Sequence, residues 1–401
     1  MSRRVDTGAA SEKRVLDGQD RTVPAMQTAI WSPDHVSCIE RGTAPYLPRV
    51  RSQDVHRLGP DLDAWDAWPV QWPTGGSVVL GGAELWMTLA APVNEDPNLR
   101  HQRARMHLIR PTADGGWRDL GPALPDGFSP GACEWSGCAV WRSGNDSHGA
   151  EATGRVELHF TATGRRGQRF TTEQRLFVTT ARVEGTGDHI RLVDWTVPTE
   201  TVPALADWRQ PAQGVDPAPG RIHHLRDPAV FQDPSDGQEY LVYAASESGP
   251  QTLDQGAIGW AVHDPTGGWR DLGPLLRAPG LNHELERPHL LKTADGYYLF
   301  WCTQARMFAA GGPAGPTGLY GMFARQLAGP WTPLNGSGLV AANPEAAPSQ
   351  TYAWWVTGAL EVFGFADVLP DAPDGDRNRV FAGGLAPPFR ITLDGPTSRV
   401  A

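Results

Sequence analysis

Carboxylates stand beside tryptophan or arginine at three separate points of the chain, in the motifs "WDAW" (65–68), "LRDP" (225–228) and "ELERP" (284–288). In the third motif Glu284 and Glu286 are two residues apart, so in an extended strand both side chains point to the same face. Converging carboxylates can supply a nucleophile, a proton donor and a stabiliser of developing positive charge. Such chemistry requires a fold that brings the three motifs together.

Cleavage of a glycosidic bond is the chemistry that best fits this set. One carboxylate attacks the anomeric carbon while a second protonates the leaving oxygen, and in retaining enzymes the two lie about 5 to 5.5 Å apart. Burial and crowding raise the pKa of the proton donor. Tryptophan rings can stack on sugars, and arginines such as Arg226 and Arg287 can hold neighbouring carboxylates ionised.

Each motif also has a purely structural interpretation. Asp66 could cap a surface turn, the Asp-Pro pair at 227–228 is a common turn opener, and "ELERP" could be a salt-bridged edge strand. The motif "EWSG" (134–137) taken alone favours core packing. Function is favoured over these interpretations if the motifs share one position in a repeated unit.

The sequence contains two kinds of internal repeat. The phrase "GGWRDLGP" occurs at 115–122 and again at 267–274, and a looser copy, "AGPWTPLNGSGL", stands at 328–339. A turn signal followed by an apolar strand recurs five times, beginning at residues 82, 154, 236, 295 and 358. Repeats at this spacing are typical of propellers, in which a four-stranded blade takes roughly 45 to 60 residues.

The repeats predict an all-β, five-bladed β-propeller with a funnel-shaped central acidic pocket. The 46 Gly and 36 Pro suit the many tight turns of such a fold. A motif with chemical potential precedes each repeated strand, which places one motif per blade at the central channel. We therefore predict a flexible N-terminal arm over 1–25 and a single catalytic propeller domain over 26–401.

Charge and composition argue against several other classes. The net charge of −10 disfavours nucleic-acid binding, and no stretch reaches the roughly 18 apolar residues that a membrane span needs. Arg3-Arg4 is followed by a polar stretch, so we expect no twin-arginine signal and the sequence gives no export address. Without a Cys-x-x-Cys pair we predict no metal and no cofactor. Cys133 and Cys138 could form a disulfide, although buried free thiols are favoured.

With these motifs in order, the chain resembles glycoside hydrolase family 68, the levansucrases, inulosucrases and bacterial β-fructofuranosidases. The resemblance spans about residues 60–395 and rests on "WDAWPVQ", "EWSG", "LRDPAVF", "NHELERPHLL" and "PLNGSGLV". It implies a five-bladed propeller that acts on sucrose by a retaining double displacement, with sugars as acceptors.

The resemblance also implies roles for individual residues. Asp66 corresponds to the nucleophile that forms a fructosyl-enzyme, Glu286 to the general acid/base and Asp227 to the transition-state stabiliser. Seven further residues fall on substrate-binding positions: Trp65, Trp135, Ser136, Arg226, Glu284, Gln304 and Tyr352.

Three positions depart from the family pattern. His283 replaces an aspartate that belongs to a calcium site in Gram-positive members, so we do not expect calcium here. Gln304 stands where the family usually has arginine or histidine, in contact with the aldose half of the substrate, and Ala229 replaces a histidine. The uncharged Gln304 predicts weaker acceptor binding and mainly hydrolysis or short products, unless Arg306 replaces the missing charge.

Two alternatives to a sucrose-type fructosyl enzyme stay open. The altered residues face the leaving-group side, so the substrate could be another β-fructoside or a fructan. A non-catalytic sugar-binding propeller is the alternative from a different class. The presence of all three carboxylates argues against it, because a binding module needs neither a nucleophile nor an acid.

Overall fold

The computed structural model describes residues 27–43, 45–143, 154–203, 205–212, 222–249, 254–369 and 381–401. The N-terminal arm expected over 1–25 lies outside these residues. Helices within them are short: α1 (Pro33–Ser37), α2 (Arg100–Arg103) and single 3-10 turns at Arg41–Thr43, Ser52–Asp54, Pro97–Leu99, Gly187–His189, Ala305–Met307 and Leu334–Gly336. No helix in the described ranges has the length and apolarity to cross a bilayer.

Strands make up the rest of the regular structure and form five blades. A short strand, β1 (Ala29–Ile30), precedes them. Blade I begins with β2 (Leu62–Gln71), continues through a hairpin of β3 (Val79–Leu80) and β4 (Ala83–Glu84), and is completed by β5 (Trp86–Pro92), β6 (Arg105–Pro111) and β7 (Trp117–Pro122). Blade II contains β8 (Cys133–Ser143), β9 (Gly154–Thr163), β10 (Gln174–Glu184), β11 (Arg191–Val193) and β12 (Thr199–Glu200).

The other three blades follow the same plan. Blade III contains β13 (Leu225–Gln232), β14 (Glu239–Ser246), β15 (Gln255–Asp264) and β16 (Gly268–Pro279). Blade IV contains β17 (Glu286–Lys292), β18 (Tyr297–Thr303), β19 (Gly318–Ala324), β20 (Thr332–Pro333) and β21 (Leu339–Ala342). Blade V contains β22 (Thr351–Val356), β23 (Glu361–Val368), β24 (Phe381–Leu385), β25 (Phe389–Asp394) and β26 (Thr397–Val400).

The repeats of the sequence map onto equivalent strands, which confirms the predicted five-bladed architecture. The fivefold pattern forms the second strand of every blade: β5, β9, β14, β18 and β23. The phrase "GGWRDLGP" contributes to the outer strands β7 and β16. The motifs with chemical potential lie on or beside the innermost strands, which are β2, β8, β13, β17 and β22.

Every innermost strand carries a β-bulge at its site motif. Its pairing with the second strand shifts register between Trp65 and Ala67, Trp135 and Gly137, Arg226 and Ala229, Glu286 and His289, and Tyr352 and Trp355. A bulge bends the strand and changes the direction of the side chain it contains. In four blades the bulge includes a non-glycine residue with left-handed backbone: Asp66 (φ 52°), Asp227 (φ 56°), Arg287 (φ 54°) and Ala353 (φ 54°).

An N-terminal segment (27–43 and 45–56) contacts blades III, IV and V. Strand β1 pairs in parallel with β16, the outer strand of blade III, and Trp31 Nε1 donates to the Ser337 carbonyl in blade IV at 2.9 Å. At blade V, the Val50 N–H donates to Gln350 Oε1, just before β22, at 2.9 Å. The segment therefore links three blades.

Buried aromatic rings fill the spaces within and between the blades. The fully buried tryptophans include Trp31, Trp68, Trp86, Trp260, Trp301 and Trp354. All four cysteines are free thiols, and Cys133, Cys138 and Cys302 are buried. The favoured interpretation of Cys133 and Cys138 is thus confirmed, and the alternative disulfide is not formed.

Gly137, beside the bulge of β8, permits the close approach of β9. A Cβ at this position would collide with the carbonyl oxygen of His159 and the Cα of Phe160, both of which are backbone atoms. We expect Gly137→Ala to lower the free energy of unfolding by about 2 kcal/mol or more, because the strands must separate. Gly59→Ala is the matched control, since a Cβ there meets nothing within 4 Å. Equal melting temperatures for the two variants would contradict this explanation.

Candidate active site

The innermost strands of all five blades converge on one pocket of about 550 Å³. All ten residues that the sequence assigned to the site line this pocket: Trp65, Asp66, Trp135, Ser136, Arg226, Asp227, Glu284, Glu286, Gln304 and Tyr352. The motifs therefore meet in one pocket, as their equivalent positions in the repeats predicted. Hydrogen bonds and nearby charges determine what each residue can do in the pocket.

Asp66 is oriented by blades II and IV. Ser136 Oγ donates to its Oδ2 at 2.5 Å, and Arg287 Nη1 lies 3.8 Å from the same oxygen. Burial raises the pKa of Asp66, while Arg287 and Ser136 act in the opposite direction. With 17% of its side chain exposed, the carboxylate faces the pocket and is held in one direction, as a nucleophile requires.

Asp227 occupies the equivalent bulge in blade III. Its Oδ2 accepts from the backbone N–H of Arg287 at 3.1 Å, and its own N–H donates to Thr161 Oγ1 at 3.0 Å. Burial, with a further contribution from Glu286, raises the pKa of Asp227 to about 7, although Arg226 opposes the shift. The backbone of blade IV thus holds the carboxyl of Asp227, and a side chain of blade II holds its backbone.

Glu284 and Glu286 form a coupled pair, which Arg226 bridges. Arg226 Nη2 donates to Glu284 Oε2 at 2.9 Å and to Glu286 Oε1 at 2.5 Å. The Tyr352 hydroxyl donates to Glu286 Oε2, and the two carboxyls hydrogen-bond to each other. Both glutamates thus face the same pocket, as their spacing predicted, although β17 begins only at Glu286.

The distribution of protons over this pair differs from the sequence argument, which expected a raised pKa on Glu286. Burial and the charge of Glu286 raise the pKa of Glu284 to about 8. Burial acts in the same direction on Glu286, but Arg226 and the hydrogen bond from Tyr352 outweigh it and lower the Glu286 pKa. In the free site burial therefore favours the protonated form of Glu284, whereas Arg226 and Tyr352 favour the ionised form of Glu286.

Arg287 connects three blades beneath the pocket. Its Nη2 donates to the Ala67 carbonyl at 2.9 Å, and its guanidinium lies over the rings of Trp68 and Trp355, at 5.2 Å and 5.3 Å from their centroids. Together with its contacts to Asp66 and Asp227, this places one buried cation among blades I, III and V. The charge favours ionisation of the adjacent carboxyls.

His289 has a structural role. Its Nε2 accepts from the Val356 N–H at 3.0 Å, so its Nδ1 carries the proton and donates to the Arg287 carbonyl at 2.9 Å. Burial lowers the His289 pKa to about 3, and its ring stacks on Trp355 with centroids 4.4 Å apart. The neutral imidazole thereby joins the bulge of blade IV to blade V.

His283, the first departure from the family pattern, is buried and does not line the pocket. Its ring packs against His224 with centroids 4.8 Å apart, and His224 Nε2 lies 4.0 Å from Glu284 Oε2. Within the described ranges, no three His, Cys, Asp or Glu side chains form a cluster that could hold a metal ion. Ala229, the third departure, is buried in β13 opposite Val242.

Gln304 does not stand alone at the position of the second departure. Arg306 Nε donates to Gln304 Oε1 at 2.7 Å, and both residues line the pocket. A cation is therefore present beside Gln304, which is the alternative that the sequence left open. The consequence for product length stays a prediction.

Sequence reasoning missed several residues that line the same pocket, among them Arg100, His101, Asp367 and Phe381. Arg100 lies over the Phe381 ring at 3.9 Å from its centroid and over the Trp65 ring at 5.6 Å. These residues lie on α2, β23 and β24, outside the innermost strands. The repeat phase that pointed to the other residues therefore gave no signal for them.

The innermost strands of all five blades line one pocket, and those of blades I, III and IV bring carboxylates and arginines into it. This arrangement defines a class of β-propeller enzymes that act on glycosides. The comparisons with known proteins give the family within that class. A family model described as Levansucrase/Invertase matches residues 24–259 and 251–401. The chain belongs to this family.

Individual relatives are similar along nearly the whole chain. A levansucrase of Pseudomonas savastanoi pv. glycinea is 29% identical over 413 residues, which cover 92% of this chain and 94% of that protein. An extracellular sucrase of Zymomonas mobilis is 29% identical, with 84% of each chain covered. Among solved structures, an inulosucrase from Halalkalicoccus jeotgali bound to kestose superposes with a TM-score of 0.81 at 30% identity, covering 93% of this chain and 95% of that one.

The raised pKa values of the buried acids predict how stability depends on pH. Burial raises the pKa of Glu284 from 4.5 to about 8 and the pKa of Asp227 from 3.8 to about 7. At any pH between the unfolded and the folded pKa of a group, the folded protein therefore binds more protons than the unfolded chain. The stabilising contribution of both groups is complete below about pH 4 and is lost as pH rises through about 8.

Buried histidines such as His289, whose pKa is lowered to about 3, act in the opposite direction over the same pH range, so the contribution of Glu284 is measured against a variant. Between pH 5.5 and 8.5 we expect the change in the free energy of unfolding, measured by urea denaturation, to be less favourable in the wild type than in Glu284→Gln by at least about 1 kcal/mol, because the glutamine has no proton to lose. An equal change in the two proteins would contradict the raised pKa of Glu284.

Proposed function

We propose that this protein is a retaining fructosyl enzyme that acts on sucrose through a covalent fructosyl–Asp66 intermediate. The observation that carries the proposal is the convergence of Asp66, Asp227 and Glu286 in one pocket, each on a bulged innermost strand. Sucrose as substrate is supported by relatives that are named levansucrase and extracellular sucrase.

In the first half-reaction Asp66 acts as the nucleophile. Its carboxylate attacks the anomeric carbon of the fructosyl unit and forms an ester, while the bond from that carbon to the glucose oxygen breaks. Glu286 gives a proton to the departing oxygen, so that glucose leaves as a neutral alcohol. Asp227 stabilises the positive charge that develops on the fructosyl ring in the transition state.

The second half-reaction reverses these roles. Water or the hydroxyl of an acceptor sugar attacks the anomeric carbon, Glu286 accepts the proton of the attacking group, and the bond to Asp66 breaks. Water gives free fructose, and a sugar gives a transfer product. Two successive displacements at one carbon return it to its original configuration, which is why the reaction is retaining.

Glu284 is the group from which Glu286 can obtain its proton. Burial favours the protonated form of Glu284, and Arg226 bridges the two carboxyls and holds them close together. A substrate oxygen that accepts a hydrogen bond from Glu286 favours transfer of this proton along the short path between the two carboxyls. Arg226 contacts one oxygen of each carboxyl. In this proposal the pair holds one proton before the first half-reaction, none after Glu286 has protonated the glucose, and one again once Glu286 has accepted the proton of water or of the acceptor sugar.

An enzyme acting on another β-fructoside is the second candidate. It is favoured by the uncharged Gln304 on the side of the pocket that the departing sugar would occupy, although Arg306 restores a cation there. Release of glucose from sucrose, compared with release from other β-fructosides, distinguishes the two.

We expect Asp66→Asn to lower kcat on sucrose by about a thousandfold or more, because no covalent intermediate can form. Asp61→Asn is a suitable control, since Asp61 is exposed and does not line the pocket. Melting temperatures would show that both variants fold. If Asp66→Asn retains more than about a tenth of the wild-type kcat, the assignment of the nucleophile is wrong.

Glu286→Gln should affect substrates according to their leaving groups. Glucose is a poor leaving group that requires protonation, whereas an activated β-fructoside with a nitrophenolate leaving group does not. The rate of fructosylation should therefore fall far more on sucrose than on the activated substrate, by about a hundredfold or more in relative terms. Single-turnover kinetics on both substrates measure this step. Equal losses would point to Glu284 as the acid, or to a binding role for Glu286.

A further inference from the structure

Asp367 is a carboxylate of the pocket to which the proposed mechanism gives no role. It lies on β23 of blade V, is half-buried and lines the pocket. Among the residues that the structure describes, none forms a hydrogen bond or ion pair with its carboxylate. A charge that is partly removed from water without a partner is unfavourable, and such groups in clefts often contact ligands.

The surroundings of Asp367 keep its carboxylate available to a ligand. Burial raises its pKa to about 6, and Asp66 acts in the same direction, whereas the charges of Arg100 and Arg306 lower it. The group is therefore largely ionised at neutral pH. Arg100 is itself held in place, because its Nη1 donates to the Pro97 carbonyl at 2.8 Å and its guanidinium lies over Phe381.

The elements that carry the lining residues separate two layers of the pocket. Asp66, Asp227 and Glu286 lie on innermost strands, whereas Arg100, Gln304, Asp367 and the exposed Arg306 lie outside them. The second group thus forms an outer layer, contributed by α2, β23 and the 3-10 turn at Ala305–Met307. In a substrate whose fructosyl carbon lies at Asp66, the other sugar extends toward this layer.

We propose that Asp367 is a specificity-determining residue that accepts hydrogen bonds from hydroxyls of the sugar on the leaving-group side. It contacts the departing aldose in the first half-reaction and the incoming acceptor sugar in the second. This inference rests on the proposed function, because it assumes that a fructosyl-enzyme forms at Asp66.

The ratio of transfer to hydrolysis tests this role directly. Water and an acceptor sugar compete for the same fructosyl-enzyme, so the ratio does not depend on how fast that intermediate forms. Damage on the fructosyl side slows both outcomes together and leaves the ratio unchanged. Loss of a charge-assisted contact to the acceptor lowers transfer alone.

We expect Asp367→Asn to lower the transfer-to-hydrolysis ratio at fixed high sucrose roughly three- to tenfold. Chromatography of free fructose, free glucose and transfer products measures the ratio. Glu361→Gln is the matched control: it removes a carboxylate from the same strand, where Glu361 pairs with Arg390 at 2.5 Å and does not line the pocket. The control should keep the wild-type ratio.

Each outcome decides between the inference and the proposed function. A wild-type ratio in a folded Asp367→Asn variant, with sucrose still cleaved, overturns the inference and leaves the proposed function intact. If the wild-type protein releases no glucose from sucrose, both are overturned. Should Asp367→Asn fail to fold, Asp367→Glu keeps the charge but moves it by one methylene, and an unchanged ratio there also overturns the inference.

Discussion

The buried guanidinium of Arg287 is the interaction on which the rest of the site depends. It lies between two tryptophan rings, donates to a backbone carbonyl of blade I and stands 3.8 Å from Asp66. The cost of burying this cation is offset by the carboxylates around it, and their burial is tolerable because the cation is present. The packing of the blades around the axis and the ionisation of the pocket acids therefore both depend on this one cation.

The geometry of the backbone distributes the chemistry around this cation. In each innermost strand one β-bulge interrupts the pairing with the second strand. In four blades this bulge holds a non-glycine residue in left-handed conformation. Such residues are unfavourable in isolation and persist only where the surrounding structure fixes them. Each blade thereby turns side chains toward the axis from a strand that is otherwise regular, so the pocket can be acidic while the blades stay apolar.

The repeats were sufficient to predict the five-bladed architecture and the meeting of the carboxylate motifs at its centre. The resemblance to glycoside hydrolase family 68 added the substrate-binding positions, among them Gln304 after β18. The sequence was not sufficient for pocket residues on elements outside the innermost strands. Arg100 and Asp367 lie outside the repeated phase, so nothing in their local sequence marked them. The opposite pKa shifts of Glu284 and Glu286 were also beyond reach, since they follow from burial and from which oxygens Arg226 and Tyr352 contact.

The N-terminal segment has a consequence for the order in which the molecule is assembled. Its contacts are remote in sequence: Thr28 Oγ1 donates to Pro274, Trp31 to Ser337 and Val50 to Gln350, across separations of 246, 306 and 300 residues. During synthesis these partners leave the ribosome long after the segment itself. Contacts of such high separation form late and slowly. The segment must therefore remain undocked until blades III, IV and V are present. Although it precedes every blade in the sequence, it acquires its structure after them.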